Sequence, residues 1–169
     1  TFSPSAEVTP LPAGLMSLSL VHESSVDIFE HTLQVNPSAF TQLSRLILGS
    51  VDTTIHSKSP IMTTIYTACA RTLSSLYLAN VPVTLTSTLR MPPHLTELSI
   101  TISEIQDWNP EEDAGVLLPT TLKRLDLTWH VPNHPTIPNI LHEELEDLAI
   151  RNTRHPTVFI QLPSNLKCF

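Results

Sequence analysis

Leucine recurs along this chain in one figure, LxxLxL, set between stretches of mixed polar and apolar character. Full copies are Leu15/Leu18/Leu20, Leu43/Leu46/Leu48, Leu73/Leu76/Leu78, Leu95/Leu98/Ile100, Leu122/Leu125/Leu127 and Leu145/Leu148/Ile150. A seventh starts at Leu166 and is cut off at Phe169. The first leucines stand at 15, 43, 73, 95, 122, 145 and 166, giving intervals of 28, 30, 22, 27, 23 and 21 residues. Side chains alternate sides along an extended segment, so the last two leucines of each copy face one way and the residues between them the other. One such strand cannot bury its leucine side alone, but strands stacked in parallel make a continuous apolar ladder. The pattern therefore predicts one short strand per copy, in a parallel sheet.

The connecting stretches are of two kinds. Leu11-Pro12, Met91-Pro92, Leu118-Pro119 and Leu162-Pro163 each lie four and three residues before the first leucine of a copy. Proline there fixes φ and has no N–H to lose, which suits a turn leading into a strand. Before the second and third copies those places hold Ala39-Phe40 and Cys69-Ala70, and the connectors are longest. There Val26, Phe29 and Leu33 form a helical stripe, with Ser24 or Ser25 to cap it and Pro37 to end it. Ile61, Ile65 and Cys69 form a second stripe, preceded by Ser59-Pro60 at the cap and first turn. From Val81 on, Pro82, Pro110, Pro132, Pro135, Pro138 and Pro156 exclude long helices and predict extended or short 3-10 connectors.

At 169 residues the chain reads as one domain over 1–169. Residues 1–10 resemble the tail of an earlier connector and the last copy is partial, which fits a piece of a longer protein. The net charge of −7, with no run of lysine or arginine, argues against nucleic acid or an anionic membrane as partner. No apolar stretch approaches the roughly 20 residues that cross a bilayer. Cys69 and Cys168 are too few for cysteine-sealed ends, and the one near-acceptor for glycosylation, Asn36, is spoiled by Pro37. Both features point to the cytoplasm or nucleus.

The six and a half copies resemble the leucine-rich repeat superfamily across residues 11–169. The form Leu118-Pro119-Thr120-Thr121-Leu122-Lys123-Arg124-Leu125-Asp126-Leu127 looks like FNIP-type and bacterial effector repeats, and the longer helical connectors look like those of F-box ubiquitin-ligase receptors. The resemblance implies an α/β leucine-rich repeat solenoid, a horseshoe with its parallel sheet on the concave face. The Asn or Cys usual three residues after the last leucine is replaced by Glu23, Val51, Val81, Ser103, His130 and Thr153. The backbone it would bond must be satisfied in another way.

Alternation sets three columns on the concave face: Ser17, Arg45, Ser75, Glu97, Arg124, Asp147; then Ser19, Ile47, Tyr77, Ser99, Asp126, Ala149; then Val21, Gly49, Ala79, Thr101, Thr128, Arg151. One reading is a partner-binding surface with Tyr77 as aromatic anchor and Arg45, Glu97, Arg124, Asp126, Asp147 and Arg151 as charged contacts. The other is a solvated face whose Arg124/Asp147 and Asp126/Arg151 pairs bond only each other. His130, His134 and His142 lack the spacing of a metal site, and Glu111-Glu112-Asp113 and Glu143-Glu144-Glu146-Asp147 lack that of a calcium loop. With Gly14, Gly49 and Gly115 the only glycines, no nucleophile elbow or phosphate loop can be built. Trp108 and Trp129 are either rim anchors or buried between connectors. The expectation is thus a non-enzymatic module without cofactor, catalytic residue, metal or small-molecule substrate, binding a protein or peptide, as in the substrate-recognition segment of an F-box-type receptor. The alternatives are an extracellular or secreted repeat protein for adhesion or host recognition, or a structural subunit of a large assembly.

Overall fold

The computed structural model describes residues 11–50, 61–86, 89–106, 118–131, 141–152 and 162–168. Six strands, β1 (Ser17–Val21), β2 (Arg45–Gly49), β3 (Ser75–Thr86), β4 (Glu97–Gln106), β5 (Arg124–Trp129) and β6 (Asp147–Asn152), form one open sheet in chain order. Every pairing is parallel. Helices α1 (Ser25–Val35) and α2 (Ile61–Cys69) occupy the first two crossovers, with a 3-10 turn at Pro37–Phe40 between α1 and β2. The protein is therefore α/β, built on a single open parallel sheet.

The leucine figure sets the register. Leu18, Leu46, Leu76, Leu98, Leu125 and Leu148 stand opposite one another from strand to strand. From Leu46 to Leu148 this tier is buried, as are the first leucines Leu43, Leu73, Leu95, Leu122 and Leu145. In β1 the equivalents Leu15, Leu18 and Leu20 are only partly covered, because the sheet ends there among the described residues. At the leading end of each strand one carbonyl accepts two N–H groups from the next: Met16 from Ser44 and Arg45, Ser44 from Ser74 and Ser75, Ser74 from Thr96 and Glu97, Thr96 from Lys123 and Arg124, Lys123 from Glu146 and Asp147, Glu146 from Lys167 and Cys168. The hydroxyls of Ser44, Ser74 and Thr96 donate to the same carbonyls at 3.0–3.1 Å. Thr72 and Thr121 add bonds to the carbonyls of Leu43 and Leu95. Hydroxyls thus bond the turn backbone at the leading end of the sheet, and at the trailing end the Asn80 side-chain amide donates to Ser50 O at 3.2 Å. On the trailing side the backbone bonds directly, His22 N–H to Gly49 O and Ser50 N–H to Ala79 O, both 2.9 Å.

Both expected helices form and bury their stripes, except that Leu33 in the first is only partly covered. Val26 and Phe29 point into the core, where the Phe29 ring meets Phe40 edge-on at 5.3 Å. Ser24 holds the N-cap position, but its hydroxyl makes no cap bond; instead its N–H donates to His22 Nδ1 at 3.1 Å. The helix runs past Leu33 to Val35, and Asn36 and Pro37 stop it. In α2, Ile61, Ile65 and Cys69 are buried together with Met62; the cap at Ser59-Pro60 lies outside the described residues.

The sheet departs from simple copying at β3. Asn80 takes φ 56°, a left-handed turn that an asparagine tolerates, and the strand continues beyond it. Val81, Val83 and Leu85 are buried while Pro82, Thr84 and Thr86 are half-covered, a clean two-residue alternation. Pro82 is therefore a strand residue paired with Thr101, not part of a loop. Proline is tolerated because β2 ends at Gly49, so among the described residues β3 has a neighbour on one side only at this point. The register shifts between Tyr77 and Pro82, so Thr101 does not stand opposite Ala79 and the third expected column breaks there. Pro110, Pro132, Pro135, Pro138 and Pro156 lie outside the described residues. The partial seventh copy contributes one bridge, Asp147 with Cys168. No helix among the described residues is long and apolar enough to cross a membrane.

Candidate functional site

Among the described residues the helices and the leucine tiers lie on one side of the sheet, and the other side is open. Its side chains come from the alternate positions of each strand, and the parallel register brings them into rows. Arg45, Ser75, Glu97, Arg124 and Asp147 pair in succession in the first row, and Ile47, Tyr77, Ser99, Asp126 and Ala149 in the second. All seven charged or aromatic residues singled out from the sequence, Arg45, Tyr77, Glu97, Arg124, Asp126, Asp147 and Arg151, lie on this side.

They interact as a chain. The Arg45 guanidinium sits 5.3 Å from the centroid of the Tyr77 ring, within cation–π range. The Tyr77 hydroxyl donates to Glu97 Oε2 at 2.5 Å, and Ser75 Oγ donates to the same oxygen at 3.2 Å. Arg124 reaches Glu97 Oε1 with one terminal nitrogen at 3.5 Å and Asp147 Oδ2 with Nε at 2.9 Å. Arg151 holds Asp126 with two bonds, Nε to Oδ1 at 3.2 Å and a terminal nitrogen to Oδ2 at 3.0 Å. The Arg124/Asp147 and Asp126/Arg151 pairs therefore do form. Arg124 and Arg151 remain about two-thirds exposed, so water screens both ion pairs and either can be exchanged for another partner at small cost.

The ionisations follow from these bonds. The hydrogen bond to Glu97 raises the Tyr77 phenol above its ordinary value, because ionising it would set two anions side by side. The same bond, helped by Ser75 and Arg124, holds the Glu97 carboxyl below the usual glutamate value despite partial burial. Asp147 raises the already high value of Arg124. At pH 7 the Tyr77 phenol is thus neutral, and the Glu97 carboxylate and Arg124 guanidinium are charged.

Between β3 and β6 the open side dips into a shallow groove of about 360 Å³. Its depth comes from sequence: Ser99 and Ala149 are short, while Tyr77, Glu97 and Arg124 stand up around them. Over β1–β3 the surface is of another kind, with Val21 exposed, Ile47 half-covered, and Gly49 and Ala79 adding almost no side chain.

Other candidates resolve differently. Trp129 is fully buried, so it belongs to the core and not to a rim; Trp108 lies outside the described residues. Glu143 accepts from Ser164 N–H and Oγ, while Glu144 and Glu146 bond Lys123, and Lys167 also bonds Glu146. These form a charged continuation of the hydroxyl ladder along the leading end of the sheet, a run not legible from columns counted only on the sheet face. His142 is half-buried and burial lowers its value, while His134 and Glu111-Glu112-Asp113 lie outside the described residues. Among the described residues no group of three His, Cys, Asp or Glu side chains is gathered to hold a metal ion. No family model, curated protein or solved structure matches this chain.

Proposed function

We propose that this chain is a leucine-rich repeat module of the horseshoe kind, without catalytic activity, which binds a protein or peptide on the open, concave side of its sheet. The observation that carries the reading is the aligned open face itself. Six consecutive strands present in-register rows of non-leucine side chains, with Tyr77 and a string of exchangeable ion pairs among them. Such rows put aromatic and arginine anchors at fixed spacings without requiring a pocket, the arrangement that favours an extended macromolecular ligand over a small molecule. The long helical crossovers, similar to those of F-box receptors, favour substrate recognition within a ubiquitin-ligase receptor as the larger setting. Two free cysteines, Cys69 buried and Cys168 exposed, fit a reducing compartment.

Affinity purification of the complete protein from its own cells tests this, comparing wild type with Tyr77→Ala, Arg124→Glu and, as a control on α2, Tyr66→Ala. The expected outcome is a set of proteins retained by wild type and by Tyr66→Ala and lost from both sheet-face variants. Identical partners in all four captures would remove the open face as the binding surface.

A further inference from the structure

The open face is chemically lopsided. Over the outward positions set by the leucine figure, β1–β3 carry a single charge, Arg45, whereas β4–β6 carry five: Glu97, Arg124, Asp126, Asp147 and Arg151. Within the charged half the balance is also uneven. Arg151 grips both oxygens of Asp126, which closes that pair. Arg124 is divided between Glu97 and Asp147, and Arg45, over the Tyr77 ring, also favours the Glu97 carboxylate. Glu97 is the better satisfied of the two, since its Oε2 takes hydroxyl protons from Tyr77 and Ser75. Asp147 accepts Arg124 through Oδ2, and among the described residues nothing donates to its Oδ1. Lys167 stands on the adjoining row but is held by Glu146. The carboxylate with fewest donors is therefore Asp147, 37% exposed, in a groove floored by Ala149 and Ser99.

We propose that the ligand is an extended segment of a partner protein that crosses the strands with a lysine or arginine against Asp147 and an apolar side chain on Ile47 and Val21. This rests on the binding-face reading above and adds the chemistry of the occupant. Charge complementarity selects a cation at Asp147, and the chain's net charge of −7 draws basic segments towards it. Arg45 repels a cation from the apolar half, so the two anchors fix the direction in which the segment lies. The geometry also fixes their separation. Neighbouring strands are about 4.8 Å apart, so four steps from β2 to β6 span roughly 19 Å, which an extended peptide at about 3.3 Å per residue covers in about six residues.

A library of random 12-residue peptides displayed on phage and selected against the full chain tests this directly. The enriched sequences are expected to pair a basic residue with an aliphatic or aromatic one about six positions away. A peptide made from that consensus should lose about tenfold in affinity on Asp147→Asn, the scale of one charge-assisted contact, and recover most of it on Asp147→Glu. Replacing its basic residue by norleucine should cost as much. Asp147→Asn keeps the side-chain volume, and an unchanged melting temperature shows that the fold is intact. Peptides that require Tyr77 but carry no basic residue, or that bind Asp147→Asn as tightly as wild type, would overturn the cation assignment and leave the binding face standing. Failure to enrich any sequence, or enrichment of peptides indifferent to Tyr77→Ala, Arg124→Glu and Asp147→Asn alike, would overturn both.

Discussion

Truncating Leu76 to alanine removes three carbon-borne contact points from the middle of the leucine tier, and the result can be set against the same change at the end of that tier. Leu76 is fully buried and stands opposite Leu46 on one side and Leu98 on the other. Neighbouring strands are held in register by their backbone bonds, so the space left behind cannot close by sliding. A buried leucine-to-alanine change costs about 2–5 kcal/mol, the upper range applying where the surroundings cannot relax. For Leu76→Ala about 3 kcal/mol or more is expected. Leu18 occupies the same tier in β1 but is only partly covered and has β2 as its sole strand neighbour among the described residues. With roughly half the contact to lose, Leu18→Ala is expected to cost about 1–1.5 kcal/mol. In a domain of this size each kcal/mol moves the melting temperature by about 2–4 °C. Urea unfolding followed by circular dichroism measures both costs, with calorimetry as a second readout. Equal costs at the two positions, or less than about 1 kcal/mol at Leu76, would refute the reasoning that the stacked leucines hold the sheet.

Two further outcomes follow from the ionisations. Tyr77→Phe removes the largest influence holding the Glu97 carboxyl low, so its midpoint in an NMR titration is expected to rise. A depressed folded value contributes stability above the unfolded value, here taken as 4.5, and that contribution is lost as pH falls through the folded value. Wild type should accordingly lose more stability than Tyr77→Phe on acidification below about pH 4.5, and parallel pH profiles would contradict this. Burial pushes the Cys69 thiol up to about 11, while Cys168 is exposed. A thiol reagent at pH 8 is therefore expected to titrate one cysteine in the native protein and two in denaturant; rapid modification of both without denaturant would show that α2 opens readily.

The sheet was legible from the sequence because its determinant is local and repeated: each LxxLxL fixes which side of a strand is apolar, and equal spacing within the figure fixes the register. The stripes of α1 and α2 were legible for the same reason. What could not be seen depends on where a strand finds its neighbours. Pro82 reads as a breaker until β2 is known to end at Gly49, which leaves no described strand on that side to miss its N–H. The left-handed turn at Asn80, which lets β3 run on, leaves no mark beyond a single asparagine. At the candidate site, alternation brought Arg45 to Arg151 to one face, but the bond that orders them is diagonal. Tyr77 is paired with Ser99, and its hydroxyl reaches back to Glu97 because the phenol is long enough to span two positions on the next strand. The ladder of Ser44, Ser74 and Thr96 was visible in principle, as a hydroxyl following the first leucine in three consecutive copies, yet its partners are main-chain carbonyls that the sequence does not display.

The order of the strands has a consequence for how such a chain can change. Among the described residues each strand is bonded only to the one before and the one after it, so no strand pairing links one edge of the sheet to the other. Duplicating or deleting one strand with its connector would widen or narrow the sheet without rerouting any other connection. An injury at β5 would fray its neighbours first and leave β1 and β2 assembled.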